Sequence, residues 1–258
     1  MSRYFAGGTV NAQEFGEGPP LFLFHSLLSD HSSFDRIVPH LACDFRVIVP
    51  ELPGFGTSQA IHGGLPAVAD RMATMVRDVA GNTRAIILGN GYGGFVALQM
   101  AIRHPAIVDR LVLADCGAAF SEPGREAFRN MALMSKAKGL EALTPVAMRR
   151  LFAPEFQEAN PELMADRRAA FLRTNPTVFH TACLALAGLD LRPDLSMVTM
   201  PVLVLVGDQD EATPPPMSEE LHALLPDSRL TVLKGCAHVP PLQAPDAFLD
   251  AINQFVRS

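Results

Sequence analysis

The segment Ile87-Leu88-Gly89-Asn90-Gly91-Tyr92-Gly93-Gly94-Phe95-Val96-Ala97-Leu98 constrains this chain more than any other stretch of it. An apolar run enters it, a run of helical character leaves it, and glycines stand at 89, 91, 93 and 94 between the two. A strand that turns directly into a helix strains its central residue and crowds the flanking ones. Glycines on either side remove the clash. The start of the helix also aims unpaired backbone N–H groups at whatever occupies the turn. Two uses of such a turn fit this spacing. One is the G-x-S-x-G elbow, which presents its central residue at the tip of a strand. The other is a dinucleotide cradle, in which glycines let a pyrophosphate approach the backbone. A cradle belongs on the first strand of its unit, with an acidic residue about 20 residues on. Asp109 and Asp115 stand near that distance, but at least two strand-like runs precede the turn. Position therefore favours the elbow.

Strands and helices alternate around this turn. Leu21–Phe24, Phe45–Val49, Ala85–Leu88, Leu111–Leu113, Val202–Val206 and Leu230–Leu233 are short runs rich in leucine and β-branched residues, as expected of parallel strands buried on both faces. Residues 67–79 put Val68, Met72, Met75, Val76 and Val79 on one helical stripe. Residues 95–103 form a second helix, and residues 245–256, with Phe248, Leu249, Ile252 and Phe255, a third. This alternation predicts an α/β fold with a doubly wound, mostly parallel sheet and right-handed crossovers. It fails between Ala118 and Leu191, where the pattern is helical throughout and Pro123, Pro145, Pro154, Pro161 and Pro176 divide it into about four short helices. We read 118–191 as a helical lid inserted into a core sheet domain made of 1–117 and 192–258. A chain of 258 residues is too short for two ordinary independent domains and a linker.

Composition narrows the range of partners. The net charge is −6 and no Lys/Arg-rich run offsets it, which argues against nucleic acid. No apolar stretch is long enough for a membrane span, and residues 1–8 do not read as a secretory signal. Cys43, Cys116, Cys183 and Cys236 are scattered, which suits free thiols in a reducing cytoplasm and offers no clustered metal ligands. We therefore expect a cytoplasmic protein with a small-molecule substrate, no metal and no cofactor. Nothing in the sequence sets its oligomeric state.

Two further strand ends carry chemistry. Val202–Val206 runs into Gly207-Asp208-Gln209-Asp210 with Pro214 beyond, and Leu230–Leu233 runs into Gly235-Cys236-Ala237-His238 with Pro240 beyond. Elbow, then acid, then histidine is the chain order of one large group of enzymes. With these residues in place the chain resembles the α/β-hydrolase superfamily over nearly its whole length. His25-Ser26-Leu27-Leu28 is similar to that family's oxyanion loop, where His-Gly is usual. Glu51-Leu52-Pro53-Gly54-Phe55-Gly56-Thr57-Ser58 is similar to its D-x-P-G-x-G-x-S loop. Asn90 and the helical lid resemble the branch of enol-lactonases and meta-cleavage-product C–C hydrolases.

The resemblance implies a triad with His238 as base, Asp210 as its acid and residue 91 as nucleophile. Gly91 has no side chain, so the usual acyl-enzyme route is closed at this position. Either the glycine is the chain's own residue or it replaces a serine removed to trap a ligand, in which case the chain is a serine hydrolase; alanine is the more usual choice for such a removal, so we favour the glycine as the chain's own. The backbone N–H groups of Leu27 and Tyr92 are implied as the oxyanion hole. Asp208 is expected to be solvated, Asp115 to cap a turn, and the Tyr92 side chain to pack. His25, Ser26 and Arg149 are candidates for the pocket. Against these stand a structural role for His25, a simple turn hydroxyl for Ser26 and a solvated helix face for Arg149-Arg150. The lid's Met131, Met134, Met148, Met164, Phe128, Phe152 and Phe171 are expected mainly in its core. The implied activity is hydrolysis of a small, largely apolar ester, lactone or C–C substrate by a His/Asp dyad that activates water or deprotonates the substrate. Lyase and cofactor-free oxygenase chemistry also occur in this superfamily. The alternative is a catalytically silent protein that binds a small ligand under its lid.

Overall fold

The computed structural model describes residues 2–258. Eight strands form one sheet: β1 (Ser2–Phe5), β2 (Val10–Phe15), β3 (Pro20–Phe24), β4 (Arg46–Pro50), β5 (Ala85–Asn90), β6 (Val108–Ala114), β7 (Val202–Gly207) and β8 (Ser228–Leu233). Their order is β1-β2-β4-β3-β5-β6-β7-β8. From β4 to β8 every pairing is parallel; β2 runs antiparallel to both β1 and β4. The six strands expected from sequence are all present. The β1–β2 hairpin is an addition. It escapes notice because β2, Val10-Asn11-Ala12-Gln13-Glu14-Phe15, has only one face buried and lacks the continuous apolar run of the central strands, while β1 at the sheet edge is mostly exposed.

Side chains alternate across the sheet. Leu21, Leu23, Val47, Val49, Leu203 and Leu205 point to one layer, where they meet Phe34, Leu41, Phe248 and Ile252. Phe22, Phe24, Ile48, Ile87, Leu113 and Val204 point to the other, against the helices Gly64–Ala80 and Tyr92–Arg103. The helix Tyr92–Arg103 is buried at every residue but Arg103, because it packs between the sheet and the helix Gly64–Ala80. A further helix, Pro215–Leu224, has Pro214 at its N-cap and Pro215 and Pro216 in its first turn.

The insertion holds five α-helices, Glu122–Lys138, Thr144–Leu151, Pro154–Ala159, Pro161–Leu172 and Pro176–Ala187, and not the four short ones expected. Each carries one of the five prolines in its first turn, so each proline starts a helix rather than breaking one. The first helix runs 17 residues because nothing interrupts it before Gly139. The stem is closed by an antiparallel bridge between Ala119 and Asp190. The Arg125 guanidinium adds bonds to the carbonyls of Phe120, Ala187 and Leu189 at 3.0, 3.1 and 2.9 Å. Asp30, in the loop after β3, accepts from Arg167 and Arg173 of the lid at 3.2 and 2.9 Å. No helix among the described residues is long and apolar enough to cross a membrane.

Candidate active site

The chain leaves β3 to one side, into β4, and later returns on the other side, into β5. This reversal of strand order leaves a crevice at the carboxyl ends of β3 and β5, the place where open α/β sheets bind ligands. The loop Ser26–Leu28 follows β3, and Gly91 follows β5. Gly91 adopts φ 54° and ψ −119°, a conformation that strains any residue with a Cβ. Its N–H donates to the Ala114 carbonyl at 2.9 Å, and its carbonyl accepts from Gly94 and Phe95 at 2.9 and 3.2 Å. The first-turn amide of Tyr92 therefore precedes the helical ladder. Gly93 lets the helix lie against β3: a Cβ there would collide with the Phe24 carbonyl oxygen.

Asp210 and His238 stand on the loops after β7 and β8 and meet at the same crevice. His238 Nδ1 donates to Asp210 Oδ2 at 2.8 Å, with both residues buried. Asp210 also accepts from the Ala212 and Thr213 amides at 2.7 and 3.1 Å and from the Thr213 hydroxyl at 2.7 Å. Burial opposes ionisation of Asp210, but the charge of His238 and these hydrogen bonds outweigh it and hold the carboxyl below its usual range. A carboxylate on Nδ1 fixes the tautomer with a proton on that nitrogen and turns Nε2 toward the cavity. Asp115 lies behind the pair. It accepts from the Gly207 amide at 2.9 Å and from Asn90 Nδ2 at 3.2 Å. Burial and the neighbouring Asp210 charge push its carboxyl well above the ordinary range. Asn90 Nδ2 also donates to the His238 carbonyl at 2.9 Å, tying the histidine loop to the elbow.

The cavity between sheet and lid holds about 360 Å³ of unfilled space, part of it open to solvent. Ser26, Leu27, Gly91, Tyr92 and His238 form its floor, and Phe95, Phe120, Phe128, Met131 and Leu186 its apolar walls. Of the lid residues named from sequence, only Phe128 and Met131 reach this space. Met148, Met164, Phe152 and Phe171 lie in the lid core, and Met134 is exposed.

Two pocket candidates need correction. Arg149 is exposed on the outer face of its helix and pairs with Glu211 at 3.8 Å. Its neighbour Arg150 lines the cavity instead, its guanidinium 5.9 Å from the Phe128 ring centroid. His25 does not reach the cavity. Its Nδ1 donates to the Ser26 carbonyl at 3.0 Å and its Nε2 accepts from the Leu52 amide at 3.1 Å. Complete burial lowers its pKa to about 4, so it is a neutral brace between the β3 and β4 loops. Ser26 does face the cavity: its Oγ lies 3.3 Å from His238 Nε2 and makes no other hydrogen bond among the described residues. It is therefore not the simple turn hydroxyl expected. Thr213 was missed altogether; its signal is a hydroxyl three residues after the acid, placed to bond back to it.

Residues 19–245 match the family described as alpha/beta hydrolase fold. The chain belongs to that family. A pimeloyl-(acyl-carrier protein) methyl ester esterase of Nitrosospira multiformis is 27% identical over 263 residues, covering 96% of this chain and 98% of the relative. The 3-oxoadipate enol-lactonase 2 of Acinetobacter baylyi is 26% identical, covering 96% and 93%. Among solved structures, the enol-lactonase of Burkholderia xenovorans LB400 superposes with a TM-score of 0.92 at 25% identity, covering both chains completely. By this relationship the chain is a hydrolase, and the likeness to enol-lactonases drawn from its sequence has counterparts among its relatives.

Proposed function

We propose that this protein hydrolyses a small ester or lactone that is apolar along most of its length and carries an anionic group at one end. His238 is the general base, oriented by Asp210, and the Leu27 and Tyr92 N–H groups receive the developing oxyanion. The observation that carries this reading is the buried 2.8 Å His238–Asp210 bond, which leaves Nε2 facing the cavity floor beside the Tyr92 amide. Ester and lactone bonds are also what the relatives' names specify. The anionic end follows from Arg150. It is a guanidinium with no hydrogen-bond partner among the described residues, set in an otherwise apolar wall where burial disfavours its charge, so a substrate carboxylate would pair with it and offset that cost.

One observation favours the second reading, a ligand-binding protein without turnover: Gly91 supplies no nucleophile. A panel of short esters and lactones, with and without a terminal carboxylate, separates the two. The enzyme reading requires turnover that His238→Ala abolishes. Absence of turnover in the unaltered chain, with a ligand held equally well by His238→Ala, establishes the binding reading instead.

A further inference from the structure

We propose that Ser26 is the nucleophile of this site, displaced from the tip of β5 to the tip of the neighbouring strand β3. The proposal rests on the general-base reading above and names the atom that His238 serves. In the sheet, Phe24 of β3 pairs with Gly89 of β5. Ser26 and Gly91 each follow two residues later, just beyond the strand ends, and stay side by side: a Cβ on residue 91 would lie 3.1 Å from Ser26 Cβ. A hydroxyl moved by one strand therefore stays within reach of the same histidine. Ser26 Oγ lies 3.3 Å from His238 Nε2, whose other nitrogen bonds Asp210 at 2.8 Å, so serine, histidine and acid form one continuous chain. Catalytic contacts are often looser than a tight hydrogen bond before substrate is bound.

The glycine at 91 belongs to the same arrangement. A Cβ on residue 91 would lie 2.6 Å from Ser26 Oγ and 2.6 Å from His238 Nε2. A side chain at 91 and the Ser26–His238 contact thus exclude each other. A turn serine ordinarily bonds its own neighbourhood of backbone. Here the Ser26 carbonyl is fixed by the His25 ring and by the Ser29 amide, at 3.0 and 3.3 Å, while the hydroxyl is left to the histidine. The oxyanion donors also change roles. In an elbow the residue after the nucleophile gives one N–H and the loop after an earlier strand gives the other. With Ser26 attacking, Leu27 is the following residue and Tyr92 the second donor.

The steps balance without a further reactant. Ser26 Oγ bonds to the acyl carbon as its proton passes to His238 Nε2, and the carbonyl π pair moves onto the oxygen held by the two amides. Collapse restores the carbonyl and breaks the bond to the leaving alkoxide, which takes the proton from His238. Water then attacks the acyl-serine, gives a proton to His238, and the returning Ser26 alkoxide recovers it. One ester and one water become one acid and one alcohol.

The test treats the intact chain with diisopropyl fluorophosphate and maps the adduct by peptide mass spectrometry, alongside hydrolysis of p-nitrophenyl butyrate. We expect the adduct on Ser26, its loss in both Ser26→Ala and His238→Ala, and a fall in turnover on the order of 10³ or more in each. Ser26→Cys keeps a nucleophilic atom in place and should accumulate a butyryl adduct at residue 26 visible in intact mass. This arm decides the matter if the alanine variant does not fold. Turnover that survives Ser26→Ala but not His238→Ala overturns the proposal and leaves the dyad working on water. An adduct on another residue, or none on the unaltered chain and none on Ser26→Cys, also overturns it. Turnover that survives both alanine variants removes the general-base reading as well.

Discussion

Gly91→Ser is the substitution that would restore the family's usual elbow, yet the site has closed around the glycine. The new Cβ would meet Ser26 Oγ and His238 Nε2 at 2.6 Å and Ser26 Cβ at 3.1 Å, where ordinary contacts lie at 3.4–4 Å. Two costs add. Holding a non-glycine residue at φ 54°, ψ −119° costs about 1–3 kcal/mol. Forcing the surrounding atoms apart costs about 1–3 kcal/mol more. The single variant should therefore lose roughly 2–6 kcal/mol of stability. Ser26→Gly removes two of the three close atoms, so the double variant Gly91→Ser/Ser26→Gly should recover most of the steric part and leave the backbone strain. The expected coupling between the two positions is about 1–2 kcal/mol in the favourable direction, within the range seen for residues in contact. Urea unfolding of the four proteins in the cycle measures it. The double variant carries Ser-His-Asp in the usual places once His238 swings away from residue 91, and its p-nitrophenyl ester hydrolysis should exceed that of Gly91→Ser alone. Additive losses, or a single variant as stable as the parent, would refute the idea that residues 26 and 91 compete for one space.

Three other outcomes follow from the geometry. Asp210→Asn keeps the shape of the acid but permits the wrong tautomer of His238, so kcat for ester hydrolysis should drop on the order of 10⁴ with KM little changed. His25 is neutral in the fold, with a pKa near 4 against 6.5 when unfolded, so the unfolded chain binds the extra proton between those values. Stability contributed by the neutral ring is complete above pH 6.5 and falls by roughly 3 kcal/mol as pH approaches 4; urea midpoints across that range should show a steep acid limb that flattens in His25→Asn. Arg150→Gln should raise KM at least about tenfold for esters bearing a terminal carboxylate and leave neutral esters unaffected, whereas Arg149→Gln should change KM for neither class, since an exposed pair such as Arg149–Glu211 contributes little.

What could be read in the sequence divides along physical lines. The central strands were legible because burial on both faces demands continuous apolar runs, and Val202–Val206 can satisfy little else. The loops bearing Asp210 and His238 were legible because each lies just beyond a strand that could be recognised on its own. The β1–β2 hairpin was hidden by its half-exposed edge position, and the helix Pro215–Leu224 by prolines that read as a loop until their place in the first turn is seen. Arg149 and Arg150 were not separable for a similar reason. Their eight-residue helix is too short for its apolar stripe to fix which face turns inward, and one step of 100° moves a side chain from solvent to cavity.

Ser26 illustrates a different limit. Its importance lies in the pairing of Phe24 with Gly89, a register between segments 65 residues apart that no local pattern encodes. Read along the chain, Gly91 is a motif that has lost its reactive atom. Read across the sheet, the missing side chain is the space into which a hydroxyl from the next strand reaches the same histidine. The distinction matters for any elbow of this kind. Loss of the central serine removes function only if no neighbouring strand tip carries an equivalent atom, and the test is whether the retained base still has a hydrogen-bonding partner. In this chain His238 Nε2 has one, at 3.3 Å, and it comes from the loop after β3 rather than the turn after β5.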